Sequence, residues 1–135
     1  MKKQFYILAT ALIGSFIFLS MSGLPEDLQD KWEVPAKYEK MKNPYEGVKD
    51  ADNIGRILYA KHCRSCHGTK GNGDGTKAKG LETAIRDFTG AEFKKQSDGS
   101  LYYKTYVGRG EMPSFMKKIV DEEEQWMIVN YIKNL

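Results

Sequence analysis

Cys63-Arg64-Ser65-Cys66-His67 is the stretch that most constrains this chain. Two thiols separated by two residues and followed at once by an imidazole form the pattern that bonds covalently to a haem and ligates its iron. The chemistry sets the spacing. Both sulfurs must reach two vinyl groups on one edge of the porphyrin, and the imidazole of His67 must then sit beneath the metal. A tight turn does this and a longer spacer does not, so the rest of the chain is expected to fold around a flat, largely apolar ring.

Three other uses of such a pair fit less well. A structural zinc site needs four ligands, with a second pair at a distance; here Cys63, Cys66, His62 and His67 lie within six residues, too crowded to surround one ion. A thioredoxin-like dithiol is expected between a strand and a helix of a βαβ unit, yet His67 is followed by the loop-forming run Gly68-Thr69-Lys70-Gly71-Asn72-Gly73-Asp74-Gly75. A plain disulfide leaves the histidine unexplained. His62 is expected to be a solvated helix-end residue, because His67 already holds the ligand position of the motif.

The chain opens with Met1-Lys2-Lys3-Gln4 and then runs without charge from Phe5 to Leu24, with Ile7, Leu8, Leu12, Ile13, Phe16, Ile17, Phe18 and Leu19 as its apolar bulk. A basic start before an apolar core is an export signal or an N-terminal membrane anchor. Residues 1–22 are therefore set apart. Ser20-Met21-Ser22 offers a small-residue cleavage site, and both cleavage and retention stay open. With both cysteines committed to the motif, no lipoprotein cysteine is available. Export agrees with c-type haem chemistry, which places the protein on the periplasmic side of the cytoplasmic membrane, soluble if cleaved near Ser22 and anchored otherwise.

The 113 residues beyond position 22 suffice for one small domain, whose limited core a tetrapyrrole would enlarge. Setting aside Lys2 and Lys3 brings the formal charge from +3 to +1, which excludes nucleic-acid binding on charge grounds. The distribution is more telling. Residues 61–118 hold twelve Lys/Arg against six Asp/Glu, whereas residues 23–60 hold six against eight and residues 119–135 one against four. The surplus is either a positive face that steers an acidic redox partner or an ordinary lysine-rich surface.

Residues 23–51 contain Pro25, Pro35 and Pro44 and no sustained period, so they read as an extended arm. Trp32, Val34, Tyr38, Met41 and Tyr45 give that arm apolar side chains to lay against the domain. Asn53 is placed to cap a helix from Ile54 to about His62, and Asp121 with Glu124 opens a second helix to Leu135 whose buried stripe is Ile128, Tyr131, Ile132 and Leu135. Ser100 to Val107 reads as a short helix stopped by Gly108. Strand signals are weak. The expected fold is all-α, with long loops that haem gives something to pack on.

The second iron ligand decides whether the haem is open or confined to electron transfer. Candidates are Met41, Met112, Met116, Met127 and His62. Met112 stands out in Gly108-Arg109-Gly110-Glu111-Met112-Pro113-Ser114-Phe115, where glycines allow close approach and proline stiffens the loop; Met116 is the alternative.

Over residues 52–135 the chain resembles the class I monohaem cytochromes c of bacteria. The resemblance rests on Cys63-Arg64-Ser65-Cys66-His67-Gly68, Gly71-Asn72-Gly73-Asp74-Gly75, Arg86-Asp87-Phe88-Thr89, Gly110-Glu111-Met112-Pro113-Ser114-Phe115 and Trp126 through Ile132. It implies three to five short helices wrapped around one covalent haem c, with iron held by His67 and Met112. It also implies that Gly55 and Tyr59 mark a helix crossing at Ile128 and Tyr131. Where the family often has a proline just before the Arg-Asp-Phe-Thr segment, this chain has Ile85, so the carbonyl that would orient His67 is unassigned.

The expected function is outer-sphere electron transfer between redox partners such as a respiratory complex, a terminal oxidase or a reductase. A dedicated haem subunit of a membrane respiratory complex is the nearest alternative, and a haem enzyme or gas sensor with a displaceable methionine is a more distant one. Asp74, Asp87 and Glu111 are expected to serve loops or solvent, not acid–base catalysis. Arg86 and Arg109 are candidates for contacting haem carboxylates.

Overall fold

The computed structural model describes residues 32–135, and the segment read as an export signal or anchor lies outside them. Among the described residues the elements are α1 (Ala36–Glu39), α2 (Ile54–His62), α3 (Arg64–His67), a 3-10 turn (Ala78–Gly80), α4 (Ala91–Lys94), α5 (Asp98–Val107) and α6 (Glu122–Lys133). There is no strand among them, only an isolated bridge between Arg109 and Met112. The all-α reading holds. The additional helices α1, α3 and α4 are single turns, too short to show a helical period in sequence.

The fold is organised by the contact of α2 with α6. At Gly55 the two backbones come so close that an added Cβ would lie 2.2 Å from the Met127 carbonyl oxygen and 2.9 Å from the Tyr131 Cβ. One turn on, the Tyr59 and Tyr131 rings meet at 5.2 Å. The crossing is the one implied by the resemblance at Gly55, Tyr59 and Tyr131, with the Met127 carbonyl at the point of closest approach.

Helix α6 departs from a simple amphipathic stripe. Trp126, Met127, Ile128 and Val129 are all buried in succession, because α2 and α5 both pack against it and residues 43–45 hydrogen-bond to it at Asn130. Burying each side chain of this size contributes on the order of 2 kcal/mol. The helix starts as expected, with the Asp121 carboxylate accepting the Glu124 amide at 3.1 Å, and ends with Lys94 Nζ donating to the Lys133 carbonyl at 2.5 Å.

The start of α2 is different from the sequence reading. Asn53 sits in the left-handed region at φ 56° and makes no side-chain cap. Its place is taken by Asp50, whose carboxylate accepts the amides of Ile54 at 2.7 Å and Gly55 at 2.9 Å. A carboxylate on two free amides at a helix N-terminus satisfies both orphan donors and the positive end of the dipole.

Residues Val34–Leu135 belong to one unit, so the last part of the proline-containing arm is packed with the domain. Residues 36–39 form α1, which lies against α5, and Asn43 is buried.

Candidate haem site

The Cys-x-x-Cys-His segment occupies the junction of α2 and α3. Cys63 is the last cap of one helix and the first of the next, with its carbonyl accepting the amides of Cys66 at 3.1 Å and His67 at 2.9 Å. This one-turn helix brings both sulfurs and the imidazole onto a single short arc. The glycine-rich loop then folds back over it: Gly73 N donates to the His67 carbonyl at 3.0 Å, Gly75 N to Cys66 at 3.1 Å and Lys77 N to Ser65 at 2.8 Å. Gly68, Gly71 and Gly73 take φ values of 81°, 79° and 78°, a left-handed path that glycine follows without strain. Tyr59 closes the arrangement by donating its hydroxyl to the Gly68 carbonyl at 2.6 Å.

The thiols are free. Burial, and then the neighbouring Cys66, push the Cys63 thiol up to about 12. The Cys63 thiol is therefore protonated near neutral pH. Among the described residues no three His, Cys, Asp or Glu side chains converge as they would around a metal ion.

His67 is half-buried, and burial lowers its pKa to about 4. It is therefore neutral near pH 7, with a lone pair available to a metal. Its Nδ1 is buried without a hydrogen-bond partner, as is Trp126 Nε1. Buried polar atoms are almost always satisfied. These two atoms, one of them on the imidazole that follows Cys66, are buried without a partner among the described residues. The Ile85 carbonyl, against which an added Cβ at Gly73 would stand 2.8 Å away, lies near this loop but does not accept from His67.

Phe88 has a role that its sequence position did not reveal. Its ring stacks on His67 at 4.4 Å and on Phe93 at 4.5 Å, while its amide donates to the Gly71 carbonyl at 2.8 Å. Asp87 fixes the approach to it, accepting the Thr89 amide and hydroxyl, both at 2.7 Å. These bonds hold the Asp87 carboxyl below the usual range.

Met112 is carried by a separate loop. Arg109 and Met112 exchange both backbone hydrogen bonds, at 2.9 and 3.0 Å, around Gly110 at φ 57°. Glu111, at the tip, accepts the amides of Thr83 at 2.9 Å and Glu82 at 3.3 Å, and the Thr83 amide holds its carboxyl below the ordinary range. The Met112 loop is thereby tied to the segment that leads into Phe88. Among the other methionines, Met127 is buried in the helix crossing, Met41 packs beside Gly99, and Met116 is 48% exposed. Met112 is half-buried.

His62 is not solvated as expected. It is half-buried with its ring edge-on to Phe115 at 5.7 Å, and burial lowers its pKa, with Lys61 and Lys118 adding to the effect.

Arg86 and Arg109 are far apart in sequence and near each other in the fold. Both act on Lys104, whose ammonium is held below its usual range first by burial and then by those two charges. Lys104 thus lies within electrostatic reach of both arginines, with Glu39 opposing them, and donates to Gln96.

Residues 50–132 match the family model described as cytochrome c oxidase, cbb3-type, subunit III. No curated protein matches the chain.

Proposed function

The chain belongs to the cytochrome c oxidase, cbb3-type, subunit III family, and on that premise we propose that it carries electrons into a membrane respiratory oxidase through one haem held by His67 and Met112. The family's cytochrome c domain binds haem c covalently and serves electron transport. The chain's single Cys-x-x-Cys-His makes that one haem. The observation that carries the reading is the Cys63–His67 turn, in which the Cys63 carbonyl accepts the Cys66 and His67 amides and both thiols are free.

Cys63 and Cys66 would hold a haem through thioether bonds, and His67 and Met112 would ligate its iron. The bound haem supplies one-electron exchange between Fe(II) and Fe(III), and a methionine sulfur favours the reduced form relative to a second histidine. The chain's own residues do the rest. Burial keeps His67 unprotonated, and Phe88 fixes the plane of its ring. Glu111 ties the Met112 loop to residues 82–83, and Lys104, Arg86 and Arg109 offset negative charge. The carboxylates near the site are engaged in loop structure: Asp87 holds Thr89, and Glu111 holds Glu82 and Thr83. The family's cytochrome c domain supports a carrier over an enzyme. We place the domain on the periplasmic side, with residues 1–22 as signal or anchor.

The test is the absorption spectrum of the exported protein, ferric and ferrous, with a haem-stained denaturing gel, for the wild type, Met112→Ala and Met116→Ala. Haem staining in all three, with a methionine-to-ferric-iron band missing from Met112→Ala alone, is the expected result. Loss of the band in Met116→Ala instead moves the ligand. Rapid carbon monoxide binding by the ferrous wild type would favour a sensor or enzyme, and absence of covalent haem would overturn the reading.

A further inference from the structure

The family match begins at residue 50, yet the segment before it is locked into the fold. Asn43 is 8% exposed. Its Nδ2 donates to Asp98 Oδ2 at 3.0 Å and to Asn130 Oδ1 at 2.7 Å, and its Oδ1 accepts the Tyr45 amide at 2.9 Å. Asn130 Nδ2 returns a bond to the Tyr45 carbonyl at 2.9 Å, and Asp98 also pairs with Lys133. One buried amide thus joins residues 43–45 to the start of α5 and to α6, with both its donor hydrogens and its acceptor in use.

A few residues earlier the same segment presses on α5. A Cβ at Gly99 would stand 1.9 Å from the Tyr38 carbonyl oxygen and 2.8 Å from the Met41 Cβ. The Tyr38 ring lies 4.7 Å from that of Tyr103. The opposite end of α5 bears the Met112 loop: the Tyr106 carbonyl accepts the Phe115 amide at 3.0 Å and the Ser114 hydroxyl at 3.2 Å. A ten-residue helix is a stiff rod of about 15 Å. This one is gripped along its first half by residues 38–45 and holds the Met112 loop with its last turn.

We infer that residues 38–45 are a strap that positions the Met112 loop through α5, with Asn43 as its latch. The inference rests on Met112 as the axial ligand. With the strap in place, α5 packs against α6 and against the strap, which bonds to both helices at Asn43. Without it, Asp98 and Asn130 lose buried partners, the Tyr103 ring is uncovered, and opening of the loop costs less than opening of the core. Asn43 and Tyr38 are positioning residues, acting on the ligand loop through a helix.

The test is amide hydrogen exchange on the haem-bearing protein, comparing wild type with Asn43→Ala and Tyr38→Ala. The second variant removes only ring contacts and leaves no buried polar group bare, so it decides the matter if the first does not fold. The amides of Arg109, Met112 and Phe115 are expected to exchange about tenfold faster, with a smaller change at Tyr59 and Cys63 in α2 and its cap. Loop amides that exchange as in wild type, or an equal acceleration of loop and α2, would make the strap a general stabiliser and overturn the inference. The ferric methionine band should also be lost at lower urea in both variants. If the wild type lacks that band, the Met112 assignment fails, while the exchange pattern still decides whether the strap governs the loop.

Discussion

The Phe88 ring lies nearly flat on the His67 imidazole, with centroids 4.4 Å apart and planes 23° from parallel. Phe93 continues the stack behind it. The His67 imidazole is thus supported by an aromatic wall whose own backbone is pinned to the glycine-rich loop at Gly71. A rotation of His67 would have to displace a buried ring.

Replacing Phe88 by alanine therefore does more than empty space. Loss of a buried aromatic of this kind costs about 3–5 kcal/mol, and stacking adds about 1 kcal/mol to that. Phe88→Ala is expected to lower the urea midpoint of the haem-bearing protein sharply and to broaden the Soret band as the His67 orientation becomes heterogeneous. Phe88→Tyr should retain the narrow band if the ring plane is what matters.

Gly55 makes a prediction whose sign opposes helix propensity. Alanine is the better helix former by about 1 kcal/mol, yet its Cβ would stand 2.2 Å from the Met127 carbonyl oxygen. Gly55→Ala should destabilise by about 1–3 kcal/mol in urea unfolding. A stabilised variant would show that the helices can separate without cost.

Tyr59 supplies an alkaline limb. Burial, with smaller effects from Cys63, Tyr131 and Asp74, raises its pKa to about 12, and the neutral hydroxyl donates to Gly68. Because the folded value exceeds the unfolded one of about 10, this contribution is whole below pH 10 and disappears as pH rises toward 12. Tyr59→Phe should lose about 1 kcal/mol near neutrality, and the gap between the two proteins' urea midpoints should narrow across that alkaline interval.

The cluster of Lys104, Arg86 and Arg109 bears on redox potential. Positive charge near the haem favours the reduced iron, so Arg86→Gln and Arg109→Gln should each lower the midpoint potential by tens of millivolts. The shift should shrink at high ionic strength. An unchanged potential in both would remove these arginines from the haem environment.

The cap of α2 separates two readings of one short stretch. Asp50→Ala strips a carboxylate from two amides and should cost about 1 kcal/mol or more. Asn53→Gly relieves a left-handed non-glycine backbone and should be neutral or slightly stabilising. Urea titration of the pair shows which residue caps the helix.

That contrast illustrates what was legible in the sequence. The motif, the bounds of α2 and the Asp121 cap follow from local spacing, and local rules suffice for them. Asn53 stands where a cap is expected, but a turn, in which its amide donates to the Asp50 carbonyl at 3.2 Å, brings Asp50 to the helix end instead. Phe88 and Asn43 could not be read, because each gets its role from partners far along the chain. The same holds for α6: periodicity shows one apolar stripe, and only packing reveals that five consecutive residues, Gln125 to Val129, are enclosed. His62 reads as solvated in sequence because nothing nearby announces Phe115, which its ring meets edge-on.

The buried amide of Asn43 separates two notions of where this domain starts. By descent it begins near residue 50, where the resemblance to its family starts; by mechanics it begins at Val34. A fragment cut at the first boundary would keep every haem ligand and still be an incomplete molecule, with Asp98 and Asn130 opened to water and Gly99 stripped of its cover. The segment that carries the Cys-x-x-Cys-His motif and the segment that braces it are thus one mechanical unit, of which the family match covers only the later part.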